Sequence, residues 1–112
     1  MVMAVMEFKP FIEKRQAMLE ILRFVVERVR RNRECLDCGV FEGADQREKV
    51  LYVEQWQCAD DMNSHICSRL YLNILNAMEL ASEKPKINFF EISETQSLEL
   101  IEKLRGSCCV ED

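Results

Sequence analysis

Cys35-Leu36-Asp37-Cys38-Gly39-Val40-Phe41-Glu42, then Gly43-Ala44-Asp45-Gln46-Arg47-Glu48, then Lys49-Val50-Leu51-Tyr52-Val53-Glu54-Gln55-Trp56-Gln57 is the stretch that decides the fold. Two runs containing β-branched and aromatic residues flank a six-residue polar turn, which predicts an antiparallel hairpin with strands over 35–42 and 49–57. Because strand side chains alternate, Leu51, Val53 and Gln55 share one face and Tyr52, Glu54 and Trp56 the other.

Upstream, Met18, Leu22, Val25 and Val29 recur at spacings of four and three, with Leu19 and Val26 beside them, so residues 12–32 read as an amphipathic helix. Before it, residues 2–8 alternate loosely and read as a strand that Pro10 ends. Downstream, Met62, Ile66, Leu70, Ile74 and Met78 recur every four residues and predict a second helix over 59–81. Cys58 occupies the N-cap position, Asp60 and Asp61 place negative charge in the first turn, and Ser68-Arg69 marks a bend or break. Residues 86–93 read as a fourth strand. Residues 97–105 read as a short amphipathic helix that Gly106 stops.

The order β-α-β-β-α-β predicts an α+β, ferredoxin-like domain over residues 1–93, with residues 94–112 as a C-terminal extension. Both helices then cover one face of an antiparallel sheet, and the other face of a monomer is expected to be polar. Here strands one, three and four are apolar on both faces. The expected solution is a homodimer in which two sheets pack face to face. The alternative, a monomer with the C-terminal helix across the bare face, asks too short a segment to cover a whole sheet.

The 112 residues fit one domain, and a formal charge of −5 gives no overall field favouring nucleic acid or an anionic membrane. No apolar run approaches a membrane span, and the N-terminus lacks the basic flank of a signal peptide, so a cytoplasmic location is expected. Arg28, Arg30, Arg31 and Arg33 fit the cationic end that complements a helix dipole. Of the six cysteines, Cys35 and Cys38 form a C-x-x-C. On a regular strand positions i and i+3 point to opposite faces, so the expectation is reduced, structural thiols and no metal. Cys58 and Cys67 are expected to pack, and Cys108 and Cys109 to lie in a polar tail.

Tyr52-Val53-Glu54-Gln55-Trp56 leads into Asp60-Asp61-Met62-Asn63-Ser64-His65-Ile66-Cys67-Ser68. Together they resemble the antibiotic biosynthesis monooxygenase family and its quinol-monooxygenase-like members, over roughly residues 1–93. In that family an acidic-x-aromatic pair ends the third strand, here Glu54 and Trp56. A short helix then presents a histidine, an aliphatic residue and, two further on, a serine, here His65, Ile66 and Ser68. Where many members continue Pro-His-aromatic, this chain has Arg69-Leu70-Tyr71, so Leu70 stands in place of a second histidine.

The resemblance implies a dimeric α/β barrel and a cofactor-independent monooxygenase that oxidises a quinol or polyphenol-like aromatic substrate with O2. His65 and Trp56 are then the candidate catalytic residues, with Tyr52, Glu54 and Tyr71 as candidate substrate-binding residues. His65 is the only histidine, and an imidazole ordinarily titrates near ~6.5, which suits a general base. Haem-degrading relatives use an Asn, a Trp and a His, and the first strand offers no Asn. The alternative of a different class is a non-catalytic dimeric module that binds a small ligand or serves as a structural unit. A pocket reached by both His65 and Trp56 discriminates in favour of the enzyme.

Overall fold

Alternation over the first seven strand residues does what the pattern predicts. In β1 (Val2–Phe8), Val2, Ala4, Met6 and Phe8 are buried while Met3, Val5 and Glu7 between them are half-buried. A computed structural model describes residues 1–107. Cys108 and Cys109, expected in a polar tail, lie outside the described residues.

A 3-10 turn over Ile12–Lys14 leads into α1 (Arg15–Val29). Its stripe of Met18, Leu19, Leu22, Val25, Val26 and Val29 is buried against the sheet. Each such side chain contributes about 1.5–3 kcal/mol when withdrawn from water. The hairpin follows as β2 (Cys35–Glu42) and β3 (Val50–Trp56), then α2 (Ala59–Ile66), α3 (Tyr71–Met78), β4 (Lys86–Glu91) and α4 (Leu98–Ser107). The four strands are antiparallel in the order β2-β3-β1-β4, the ferredoxin-like arrangement.

The long second helix is two helices. The chain leaves α2 after Ile66, and α3 starts at Tyr71, so the break falls where Ser68-Arg69 marked it. The Ser68 hydroxyl donates to the His65 carbonyl at 2.6 Å, which satisfies one of the acceptors that α2 leaves open. Gly106 does not stop the last helix but lies inside α4. No Cβ contact opposes a side chain there, and the glycine is simply a weak helix former at an exposed site.

A second departure concerns the C-x-x-C. Cys35 pairs with Trp56, and Asp37, not Leu36, pairs with Gln55, so a bulge inserts one residue into β2. Cys38 then pairs with Glu54. The bulge reverses the parity, and Cys35 and Cys38 share the helix-covered face instead of opposing ones. Cys38 is buried and Cys35 half-buried against the core. Among the described residues no three His, Cys, Asp or Glu side chains gather as a metal site.

The face away from the helices carries Met3 and Val5 of β1, Leu51, Val53 and Gln55 of β3, Phe41 of β2 and Phe90 of β4. Phe41 lies across Gly39, where a Cβ would sit 2.9 Å from the ring, so only glycine lets that ring lie flat. Glu7 pairs with Lys49 at 3.4 Å and with Lys86 at 3.8 Å, giving this apolar face a charged rim at one end. α4 does not cover it, for none of its residues is buried. Among the described residues no helix is long and apolar enough to cross a membrane.

Candidate functional site

The helix-facing side of β3 places Tyr52, Glu54 and Trp56 in a row, all buried. A carboxylate with 1% exposure needs partners to offset its desolvation. Glu54 has three. The Trp56 indole donates from Nε1 to Oε1 at 3.0 Å, the Tyr52 hydroxyl donates to Oε2, and His65 Nε2 lies 2.7 Å from that same oxygen. The Cys38 thiol donates in turn to the Tyr52 oxygen at 3.5 Å. The thiol, hydroxyl and indole donors of this network all run toward Glu54. Among the described residues no buried side-chain nitrogen or oxygen lacks a partner.

His65 comes from the opposite layer. As the seventh residue of α2, about two turns beyond the Cys58 N-cap, it is buried toward the sheet with Met62. Cys58 stands at the N-cap without a side-chain bond to the helix backbone; its thiol donates to Asp61 Oδ2 at 2.9 Å, and Cys58 and Cys67, expected to pack, are exposed. The imidazole lies 5.1 Å from the Trp56 ring at an interplanar angle of 32°, and 5.2 Å from the Tyr71 ring in an edge-on arrangement. Two rings and a carboxylate therefore fix its orientation. With Nε2 donating to Glu54, Nδ1 is left as the basic nitrogen.

A cleft of about 310 Å³ opens on this histidine. It is lined by Trp56 and His65 together with Arg28, Val29 and Asn32 from the end of α1, and Asp61, Ser64, Ser68 and Leu70 around α2. Its volume is at the lower end of small-molecule sites. The pairing of Val2 with Trp56 puts it at the end of the sheet where β1 begins. A larger cleft of about 890 Å³ lies at the other end, between the start of α1 and the β2–β3 turn. Its Arg15 is committed to Glu42 at 2.6 Å and to the Arg47 carbonyl, and neither histidine nor an aromatic ring lines it. The histidine and the tryptophan line the smaller cleft instead.

Of the five residues singled out in the sequence, all meet in one cluster, but they play different geometric parts. His65 and Trp56 reach the cleft. Tyr52, Glu54 and Tyr71 do not line it and stand behind the histidine. Trp56 is itself fully buried, so it backs the imidazole more than it presents a face to a ligand. Sequence reasoning missed Arg28, which it assigned to a solvated helix end. The guanidinium lies 3.4 Å over the Phe24 ring and donates to the Phe24 carbonyl at 3.3 Å, which holds it at the cleft wall. The available signal was the i, i+4 pairing of Phe24 with Arg28, on a helix running antiparallel to β1 and so ending beside Trp56.

The network also shifts the titration of its members. Burial pushes the Cys38 thiol up to about 12 from an ordinary 9.0, against the opposing hydrogen bond to Tyr52 and with the Glu54 charge adding to the rise. Burial, then the Glu54 charge, pushes the Tyr71 hydroxyl up to about 12, and both causes push Tyr52 up as well. These groups stay neutral donors near neutral pH. The consequence for stability has a definite sign. Between pH 9 and about 12 the unfolded thiol has lost its proton and the folded one keeps it. Stability is therefore fully present below pH 9 and falls as pH rises, by up to about 1.4 kcal/mol per pH unit for this one group. Urea midpoints measured from pH 8 to 10 should fall more steeply for the wild type than for Cys38→Ala. Parallel curves would show that the thiol is not held protonated.

The family model described as antibiotic biosynthesis monooxygenase matches residues 1–76. No curated protein sequence matches the chain at a significant level. Among solved structures, a provisionally assigned antibiotic biosynthesis monooxygenase of Deinococcus radiodurans is 21% identical, with a TM-score of 0.79 over 88% of this chain and 98% of its own. A protein from Mycobacterium tuberculosis is 20% identical, with a TM-score of 0.77 over 86% of this chain and 98% of its own. A provisionally assigned antibiotic biosynthesis monooxygenase of Nitrosomonas europaea is 17% identical, with a TM-score of 0.75 over 84% of this chain and 100% of its own. At these identities the structural likeness speaks for the fold.

Proposed function

The chain belongs to the antibiotic biosynthesis monooxygenase family, and from that premise we propose that it is a cofactor-independent monooxygenase acting on a quinol or polyphenol-like aromatic substrate. The observation that carries the reading is the cleft that bottoms on His65, whose far nitrogen is anchored to buried Glu54. An imidazole fixed by a carboxylate on one side and open to a small-molecule cleft on the other is the arrangement of an oriented general base. It takes a phenolic proton, and the resulting electron-rich anion reduces O2. The substrate supplies all four electrons. One oxygen atom enters the ring, giving a hydroxyquinone from a quinol, and the other leaves as water. Arg28 at the cleft wall stabilises the phenolate, and the surrounding apolar core keeps the site dry.

A homodimer is part of this reading. The apolar sheet face, bounded by the charged rim of Glu7, Lys49 and Lys86, is where a second copy would pack, as in the interior of an interface bounded by polar residues.

One observation favours a second reading. The Glu54 network is complete without any ligand, and Trp56 is fully buried, as in a purely structural core of a ligand-binding module. Oxygen uptake separates the two. Purified protein should consume O2 above the uncatalysed rate with at least one member of a panel of hydroquinones, catechols and naphthoquinols, and 18O2 should label the product with one atom. Background uptake across the whole panel would leave the structural reading.

A further inference from the structure

Two donors meet on one oxygen of Glu54. His65 Nε2 lies 2.7 Å from Oε2 and the Tyr52 hydroxyl donates to that same atom, while the Trp56 indole takes Oε1 at 3.0 Å. The negative charge that orients the imidazole is therefore shared with a phenol through a charge-assisted hydrogen bond. Behind the phenol stands another donor, the Cys38 thiol, 3.5 Å from the Tyr52 oxygen. A hydroxyl that accepts one hydrogen bond donates a stronger one, because donors in series polarise one another. The backbone is arranged to place that thiol. The bulge in β2 turns Cys38 to the helix-covered face, paired with Glu54. The Cys38 N–H donates to Asp37 Oδ1 at 2.9 Å, and its carbonyl accepts Arg30 Nε at 2.8 Å, so the residue is fixed on both sides. A bulge beside a site commonly re-aims one side chain in this way. Burial, with the Glu54 charge adding to it, pushes both the thiol and the phenol up, so each serves as a donor and not as an anion.

We infer that Tyr52, backed by Cys38, is a positioning residue that sets how strongly Glu54 holds a proton on His65. The inference rests on the reading of His65 as the base and names what governs its strength. A carboxylate that shares its charge with a phenol attracts an imidazolium less, so the imidazole loses its extra proton more readily and Nδ1 is free to accept one. Removing the phenolic hydroxyl concentrates the charge on the oxygen that faces Nε2. The other titratable or charged groups around the ring are Tyr71 on α3, Arg28 at the end of α1 and Asp61 on α2 itself. None of these three bonds to Glu54, and changes at Tyr52 or Cys38 leave all of them in place.

The chain holds one histidine, so protein labelled with 15N-histidine gives a single set of ring signals. Following them against pH reads the protonation of His65 and the position of its Nε2 proton without any substrate. In Tyr52→Phe the titration midpoint should rise by about half a pH unit, a roughly threefold gain in proton affinity, and the Nε2 proton should move downfield. Cys38→Ala keeps the hydroxyl and should move both signals the same way by less. Adding Cys38→Ala to Tyr52→Phe should move them no further, because the thiol reaches Glu54 only through the phenol. A merely structural role changes the urea midpoint and leaves the ring signals of the folded protein where they were. An unmoved titration midpoint in Tyr52→Phe, or a Cys38→Ala effect that persists in full in the double variant, overturns the inference. If Tyr52→Phe does not fold, Cys38→Ala decides alone, and an unmoved midpoint there overturns it. The shifts do not depend on turnover, so their appearance in protein that oxidises no quinol supports the tuning and counts against the enzyme reading. Where a quinol is oxidised, kcat/KM of Tyr52→Phe should fall further on the acid side than on the alkaline side, and a loss of equal size at every pH overturns the inference.

Discussion

Glu54→Ala is expected to lower stability by about 3–5 kcal/mol, and Glu54→Gln by much less. The carboxylate has 1% exposure and receives the Trp56 indole, the Tyr52 hydroxyl and His65. Removing it leaves three buried donors without an acceptor, and breaking a buried pair at one partner typically costs this much. Glutamine keeps an amide oxygen for the indole, which can only donate, and offers its NH2 to the Tyr52 oxygen or to a lone pair on His65. Since a domain this small has a stability of about 5–15 kcal/mol, the alanine variant should be close to unfolding at 37 °C while the glutamine variant folds. Urea denaturation followed through Trp56, the only tryptophan, gives both values directly. A loss below about 1 kcal/mol for Glu54→Ala would mean that water replaces the carboxylate and that the network does not hold the layers together.

How much of this was legible in the sequence differs between the sheet and the site. Period-two alternation in Val2–Phe8 and Val50–Trp56 carries each face assignment directly, because parity is kept along a regular strand. The same rule misplaced Cys35 relative to Cys38, because one inserted residue at Leu36 reverses parity and nothing in Leu-Asp-Cys announces a bulge. Tyr52, Glu54 and Trp56 were placed together correctly for the reason that β3 is regular. The expectation that Tyr52, Glu54 and Tyr71 bind substrate comes from likeness alone, and all three stand behind His65, outside the cleft lining. That depth depends on how closely α2 settles on the sheet, a tertiary quantity with no local signature. Arg28 was missed for a related reason. A cation at a helix end is explained by the dipole before any cleft is known, and only the antiparallel course of α1 brings that end beside Trp56.

His65→Gln should reduce turnover of whichever quinol the wild type oxidises by a factor of 10²–10⁴, the range lost when a positioned general base is removed. The more informative variant is Glu54→Gln. In the wild type Nε2 faces the carboxylate at 2.7 Å, which holds the proton on that nitrogen and leaves Nδ1 basic. An amide nitrogen in that place donates to Nε2, forces the proton to Nδ1 and removes the lone pair from the nitrogen opposite the anchor. The fold stays, the rings of Trp56 and Tyr71 still flank the imidazole, and the base is lost through its tautomer alone. Catalysis should therefore fall nearly as far as in His65→Gln, with kcat reduced and KM little changed, and the acid limb of the kcat/KM profile should vanish in both. The double variant should be no slower than either single one, since two residues that act as one unit do not lose their effects twice. A purely structural network gives the opposite pattern. Activity would then follow folded fraction, Glu54→Gln would turn over normally at 10 °C where it is folded, and the losses in the double variant would add.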